Sequence, residues 1–288
     1  MQWVISFHLY ELKFFLMNHY SHIKNNKKIF YTPIKDLNEF ENLAFYDHQL
    51  YVHAFNGSIG APVHEKLRTG AKVLEFGNLT ISIYEDVDFT TKNSIEIITF
   101  IDYDINQKLP FPDNEFDYIF SRNKTNFFTK DNFQGFLFET LRVLKPGGWL
   151  EVKVGHTVRN NEFVRGPALT LLDNAYTSWH EKYGFDPDLI LNLEDHLQMI
   201  GKTESISSQT IDFITRNDHF GEFSHEVFTY HVKLLKESIA PIMGISLEEY
   251  DRLVEESENE IKKRSGENFF THKKVLARKK DMGILKDA

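Results

Sequence analysis

Residues 141–151 read LRVLKPGGWLE, and this stretch decides the fold prediction. Just before and within it, residues 132–144 place Phe133, Phe136 and Leu141 on one helical face. The Lys-Pro-Gly-Gly run at 145–148 then stops a helix, and residues 149–154 (WLEVKV) have the character of a strand. The sequence therefore predicts a helix that turns sharply into a buried strand.

Three other segments predict further strands: residues 72–77 (KVLEFG), 95–102 (IEIITFID) and 116–121 (FDYIFS). Strands that alternate with helices favour parallel pairing, and such sheets bind ligands at the carboxyl ends of their strands. We therefore expect functional residues just after Gly77, Asp102 and Ser121. Patterning also predicts helices over residues 36–54, 61–67, 168–183, 189–200, 222–240 and 246–263, and strands over residues 204–213 and 269–278.

Composition excludes several classes of function. The 288 residues include 33 Lys and Arg against 42 Asp and Glu, a net charge of −9, which argues against a dedicated nucleic-acid binder. The absence of cysteine excludes disulfides, thiolate metal sites and cysteine nucleophiles. The 13 histidines form no pair with metal-ligand spacing on one helix face, so no metal site is predicted.

The first 20 residues are apolar, but His8, Glu11 and Lys13 interrupt them. No uninterrupted apolar run of about 18 residues is present, so a membrane span is not predicted. We interpret the segment as an amphipathic helix packed on the body of the protein. A surface anchor and a gene-model artefact are the alternatives.

Three segments, in this order and spacing, resemble the class I S-adenosylmethionine-dependent methyltransferase family. Residues 72–77 resemble its first strand, and residues 104–117 (DINQKLPFPDNEFD) resemble its stretch into strand four. Residues 141–151 are similar to its turn into strand five. Residues 61–72, 247–250 and 269–278 also resemble the fungal-type members akin to regulators of secondary metabolism.

The resemblance implies an α/β fold with a Rossmann-like sheet, mostly parallel with an antiparallel last strand. It divides the chain into a helical N-terminal extension (1–35), a methyltransferase-like domain (36–280) and a C-terminal tail (281–288). It implies S-adenosylmethionine as the cofactor and assigns no catalytic residue. The cofactor-binding residues that it implies are Glu75, Gly77, Asn78, Asp104, Ile105 and Arg122.

The stretch after Glu75 departs from the family pattern of an acidic residue followed by G-x-G-x-G. Only Gly77 matches, because Leu79 and Ile81 stand at the second and third glycine positions. A β-branched residue is an outlier at positive φ, so these side chains argue against an ordinary cofactor loop.

The interval between Gly77 and Pro110 is also short. Its 32 residues replace two helices, two strands and their loops, which need roughly 50 residues. We therefore expect strand two of the family to be missing. Asp86 and Asp88 are the nearby candidates for its ribose-binding acid.

Two functional hypotheses follow. The resemblance implies methyl transfer to an unknown small-molecule or protein acceptor. The degenerate loop favours an inactive pseudo-methyltransferase that acts as a scaffold or partner subunit. We expect no nucleic-acid partner, and a cytoplasmic or nuclear protein that is not secreted.

Overall fold

The computed structural model describes residues 50–76, 81–85, 97–101, 108–122, 128–157, 166–214, 227, 229–263 and 268–281. Its strands are β1 (Val73–Phe76), β2 (Ile81–Glu85), β3 (Ile97–Ile101), β4 (Phe116–Arg122), β5 (Leu144–Thr157), β6 (Thr203–Ile214) and β7 (Asn268–Lys279). Its helices are α1 (His64–Arg68), α2 (Lys130–Val143), α3 (Pro167–Tyr183), α4 (Leu193–Ile200), α5 (Lys236–Met243) and α6 (Leu247–Lys263). Residues 50–54 and 229–234 are also helical.

The described strands form one seven-stranded sheet in the order β3-β2-β1-β4-β5-β7-β6. β1, β4 and β5 are parallel to one another, and β7 is antiparallel to β5. Because β6 is antiparallel to β7, and β3 to β2, five of the seven strands run in one direction and only β2 and β7 oppose them. The predicted Rossmann-like methyltransferase sheet with an antiparallel last strand is confirmed.

One detail of the fold prediction is corrected at β2. From the short interval after Gly77 we expect strand two to be missing, whereas β2 fills that position and runs antiparallel to β1. Only residues 77–80 separate Phe76 from Ile81, and a parallel crossover needs a dozen or more residues. The short connection therefore permits a hairpin and excludes the family's helix between these two strands.

The helix-to-strand turn forms as the sequence predicts. The Thr129 hydroxyl accepts a hydrogen bond from the Asn132 amide at 3.3 Å, and the Asn132 side chain accepts one from the Thr129 amide at 2.8 Å, which caps α2. At the other end, Gly147 adopts φ 72°, and a Cβ on Gly148 would lie 2.9 Å from the Asp117 carbonyl oxygen. Two glycines are therefore required within the first residues of β5.

The two faces of the sheet differ in character. One face carries the main apolar core, in which Phe76 and Ile119 pack against Phe136 of α2 and Leu193 of α4. The other face is covered by α1 and by residues 50–61, which we call the N-terminal strap. Charged side chains of β5 and β7 are buried beneath this strap. The strap is thus the element that closes the polar side of the sheet.

A second apolar cluster joins the helices inserted between the late strands. Leu172 and Trp179 of α3 pack with Ile239 of α5 and Tyr250 of α6. The predicted capping box at the start of α6 is present, because Ser246 and Glu249 exchange side-chain and backbone hydrogen bonds. The predicted N-terminal extension lies outside the described residues, and the predicted domain boundaries remain predictions.

Candidate functional site

The carboxyl ends of β1 and β4 lie side by side, where a Rossmann-like sheet binds its ligand. Phe76 pairs with Ser121, and one residue earlier Glu75 pairs with Phe120. Glu75 Oε1 lies 3.8 Å from Arg122 Nη2, and each side chain is about one-fifth exposed. The sheet therefore brings together two residues that the sequence analysis placed near the cofactor.

Ser121 lies at the same edge and was missed by the sequence analysis as a site residue. Its side chain is fully buried, and its hydroxyl makes no hydrogen bond in the described part of the chain. A buried hydroxyl without a partner is costly unless another group supplies one. The signal was present in the sequence, because a serine follows the apolar FDYIF run at a strand end.

The remaining predicted cofactor residues cannot be placed by the structure. Gly77, Asn78, Asp104 and Ile105 lie outside the described residues, so their roles stay predictions. The same holds for Leu79, Asp86 and Asp88.

Ile81 is described, and its setting differs from the expected one. It begins β2 in extended backbone, paired with Phe76 on one side and Ile101 on the other. It is not among the described residues with positive φ. The strain expected from a β-branched residue at a glycine position is therefore absent, because the chain reverses here instead of entering a helix. β2 ends with Glu85 at the amino-terminal edge of the sheet, opposite the candidate site.

A buried ion pair lies beneath the N-terminal strap. The side chains of Glu151 and Lys153 on β5 are 0% and 1% exposed, and Lys153 Nζ lies 3.0 Å from Glu151 Oε1. Glu151 also accepts hydrogen bonds from the backbone amides of Gly60 at 2.8 Å and Ala61 at 2.9 Å. The Tyr118 hydroxyl donates to the same carboxylate at 2.9 Å.

Both side chains of the ion pair form hydrogen bonds with the strap. Lys153 Nζ donates to the Ser58 carbonyl oxygen at 2.7 Å, while the carboxylate binds the two amides that follow. Burial lowers the pKa of Lys153, and Glu151 acts in the opposite direction. Burial and the adjacent Glu151 charge together raise the pKa of Tyr118 well above its usual value, so the phenol stays a hydrogen-bond donor.

In the described residues, no group of three or more His, Asp or Glu side chains is arranged to hold a metal ion. Of the helices that the structure describes, none has the length and apolar character needed to cross a membrane.

Comparison with known proteins gives a family match. Residues 82–152 match the family model described as a methyltransferase domain, which spans β2 to β5. This match confirms the resemblance to class I S-adenosylmethionine-dependent methyltransferases, while the fungal-type subgroup stays a prediction. No curated protein sequence matched the chain.

Solved structures give weaker similarities. Phosphoethanolamine N-methyltransferase 2 of Haemonchus contortus is 16% identical, with 62% of this chain aligned to 36% of that one and a TM-score of 0.36. The [4+2]-cyclase SpnF is 21% identical over 62% of this chain and 54% of its own, with a TM-score of 0.35. A loganic acid methyltransferase is 12% identical over 68% and 71%, with a TM-score of 0.41. The chain thus spans about one-third to one-half of the first two proteins, and similarities at this level do not identify a substrate.

Proposed function

We propose that this chain, which carries a methyltransferase domain of the S-adenosylmethionine-dependent class, transfers a methyl group at the carboxyl edge of β1, β4 and β5. The observation that carries the proposal is the adjacency of Glu75 and Arg122 at that edge, with the buried Ser121 hydroxyl on the opposite face of β4, within a sheet of the methyltransferase order. The family match covers β4, which carries both Ser121 and Arg122.

The polar groups at this edge suit the cofactor that the family match supports. S-adenosylmethionine, when bound, supplies a methyl group on a positively charged sulfur. Glu75 offers a carboxylate acceptor, and the buried Ser121 hydroxyl lacks a partner in the described residues. Gly77, Asn78, Asp104 and Ile105 complete the proposed set. Binding by these residues would order the donor against the strand ends.

The chain's own contribution to the reaction is positioning. Holding a nucleophile in line with its target converts a bimolecular step into an effectively unimolecular one. Arg122 is the last residue of β4, which lies on the other side of β1 from β2. Its guanidinium contacts Glu75 and lies 6.0 Å from the centre of the Phe120 ring. We assign it to the boundary between the donor and the acceptor.

The second hypothesis, a non-catalytic scaffold, has one observation in its favour. The β1–β2 hairpin removes the glycine-rich turn and helix that normally border the donor. A partner-binding protein could keep the sheet while losing this turn. Protein partners, as well as a cytoplasmic or nuclear location, stay proposals under either hypothesis.

Calorimetric titration with S-adenosylmethionine separates the two hypotheses. We expect binding by the wild type, about tenfold weaker binding by Glu75→Gln, and unchanged binding by Glu65→Gln, which alters an exposed carboxylate on α1. A folded wild-type protein that binds neither S-adenosylmethionine nor S-adenosylhomocysteine would favour the scaffold.

A further inference from the structure

Three basic side chains form a row across neighbouring strands on the face of the sheet that the N-terminal strap partly covers. Arg122 of β4 is paired with Lys153 of β5, which is paired with Lys274 of β7. Residues directly opposite one another in a sheet point to the same face. We call Arg122, Lys153 and Lys274 the cation row.

Only two members of the cation row have a carboxylate partner in the described residues. Glu75 lies beside Arg122, and Glu151 beside Lys153. No carboxylate there is within ion-pairing distance of Lys274, whose ammonium instead lies 4.8 Å from the centre of the Phe55 ring. The Glu151 carboxylate is already occupied by Lys153, two strap amides and a tyrosine hydroxyl. One positive charge in the row is therefore uncompensated.

This uncompensated charge is costly in a ligand-free protein. Lys274 is 9% exposed, and the row places it directly opposite the charged side chain of Lys153. Like charges directly opposite in a sheet are destabilising, and a buried charge needs a partner. Burial lowers the pKa of Lys153, and the neighbouring positive charges of Lys274 and Arg122 lower it further.

The strap lies directly over this charge. Gly60 is exposed and packs closely against Lys274, because a Cβ on it would lie 3.0 Å from Lys274 Cδ, 3.1 Å from Lys274 Nζ and 3.2 Å from Glu151 Oε1. At this point the ammonium is therefore covered by an exposed strap residue that has no side chain.

We propose that Lys274, with Phe55 beside it, binds an anionic group, a carboxylate or a phosphate, of the methyl acceptor. The proposal rests on the proposed methyltransferase function. The row begins at Arg122 at the end of β4, so it adjoins the acceptor side of the candidate site. The donor's amino-acid part would lie at β1, and three strand spacings separate β1 from β7, roughly 14 Å. That distance favours the acceptor over the donor as the source of the anion.

Thermal unfolding with simple anions tests the subsite without knowledge of the acceptor. Wild type, Lys274→Met and Lys262→Met, an exposed control on α6, are compared in inorganic phosphate, acetate and chloride at constant ionic strength. Phosphate stabilises most proteins in a general way, so the difference between variants is the readout. At about ten times the dissociation constant, we expect a rise of about 3–5 °C for wild type and Lys262→Met beyond that of Lys274→Met.

The two anions distinguish the chemistry, because a larger shift with phosphate indicates a phosphorylated acceptor and a larger shift with acetate a carboxylate. Without ligand, Lys274→Met should unfold at or above the wild-type temperature, since it removes an unpaired charge. Equal anion shifts in wild type and Lys274→Met overturn the proposal, as does a wild type that neither anion stabilises beyond chloride. Lys274→Gln provides the same comparison if the methionine variant does not fold.

A calorimetric titration of Lys274→Met with S-adenosylmethionine separates the subsite from the proposed function. Donor affinity equal to wild type, with the anion shift lost, supports an acceptor subsite. If wild type binds no donor but keeps the Lys274-dependent anion shift, the methyltransferase proposal fails while the anion site stands. A tenfold loss of donor affinity in Lys274→Met would instead assign the lysine to the donor and overturn the acceptor assignment.

Discussion

The Glu151→Gln substitution should destabilise the protein more than any surface charge change. The three bonds to Oε2, from Gly60, Ala61 and Tyr118, keep the glutamine oxygen at that position. The new amide NH₂ then replaces Oε1, where it faces the ammonium of Lys153, another donor. A buried ion pair becomes a buried unpaired cation that faces a donor.

The expected cost is about 3–5 kcal/mol, the usual range when one partner of a buried pair is removed. For a chain of this size, that corresponds to a fall of about 6–20 °C in Tm. Urea unfolding, with thermal unfolding as a second probe, measures it. Lys236→Met is the control, because its partner Asp251 is half-exposed and such pairs contribute about 1 kcal/mol or less.

A second substitution tests the cause. Adding Lys153→Met to Glu151→Gln removes the buried ammonium that has lost its carboxylate partner, so the double variant should regain part of the lost stability. A Glu151→Gln cost no larger than that of Lys236→Met would show that the buried pair contributes no more than a surface pair. So would a double variant whose loss equals the sum of the two single losses.

Three further outcomes are expected from the fold. Gly148→Ala should cost about 1–3 kcal/mol, because its Cβ would lie 2.9 Å from backbone oxygens. Gly135→Ala on α2 should stabilise the protein by about 0.5–1 kcal/mol, because its Cβ would have no atom within 4 Å. Similar urea midpoints for the two variants would contradict this prediction. Glu260→Ala should cost about 1–2 kcal/mol in the same assay, because this carboxylate on α6 accepts hydrogen bonds from the first amides of α3. Glu256→Ala, which changes an exposed carboxylate on α6, should be near neutral. Burial raises the pKa of Asp117, but hydrogen bonds from neighbouring lysines and a backbone amide outweigh it and hold the pKa below 3.8. The stabilisation from the Asp117 carboxylate is therefore complete above its unfolded-state pKa and is lost as pH falls through its folded-state pKa. Asp117→Asn should therefore reduce the loss of stability against urea in acid. An unchanged dependence of stability on pH below about pH 4 would count against these ion pairs.

Local signals in the sequence predicted most of the secondary structure. The strand before Gly77 and the strand that ends at Arg122 follow from short apolar runs. The start of α6 follows from the Ser246 and Glu249 spacing, whose reciprocal hydrogen bonds are present. These features depend on residues a few positions apart, so they can be inferred without knowing the fold.

The direction of β2 and the buried charges depend on distant parts of the chain. The short interval after Gly77 led us to expect no strand two, whereas β2 fills that position and runs antiparallel to β1. The alternation in WLEVKV places Glu151 and Lys153 on one face, but only the strap, about 90 residues earlier, buries them. Among the candidate site residues, the pairing of Glu75 with Arg122 likewise required the sheet order, since the two are far apart in sequence.

The most direct measurement is a crystal structure of the protein with S-adenosylhomocysteine. We predict that the nucleoside lies across the carboxyl ends of β1 and β4, in contact with Glu75 and the Ser121 hydroxyl, while β2 remains antiparallel to β1. A ligand bound elsewhere, or a β1 followed by a helix and a parallel strand, would contradict it.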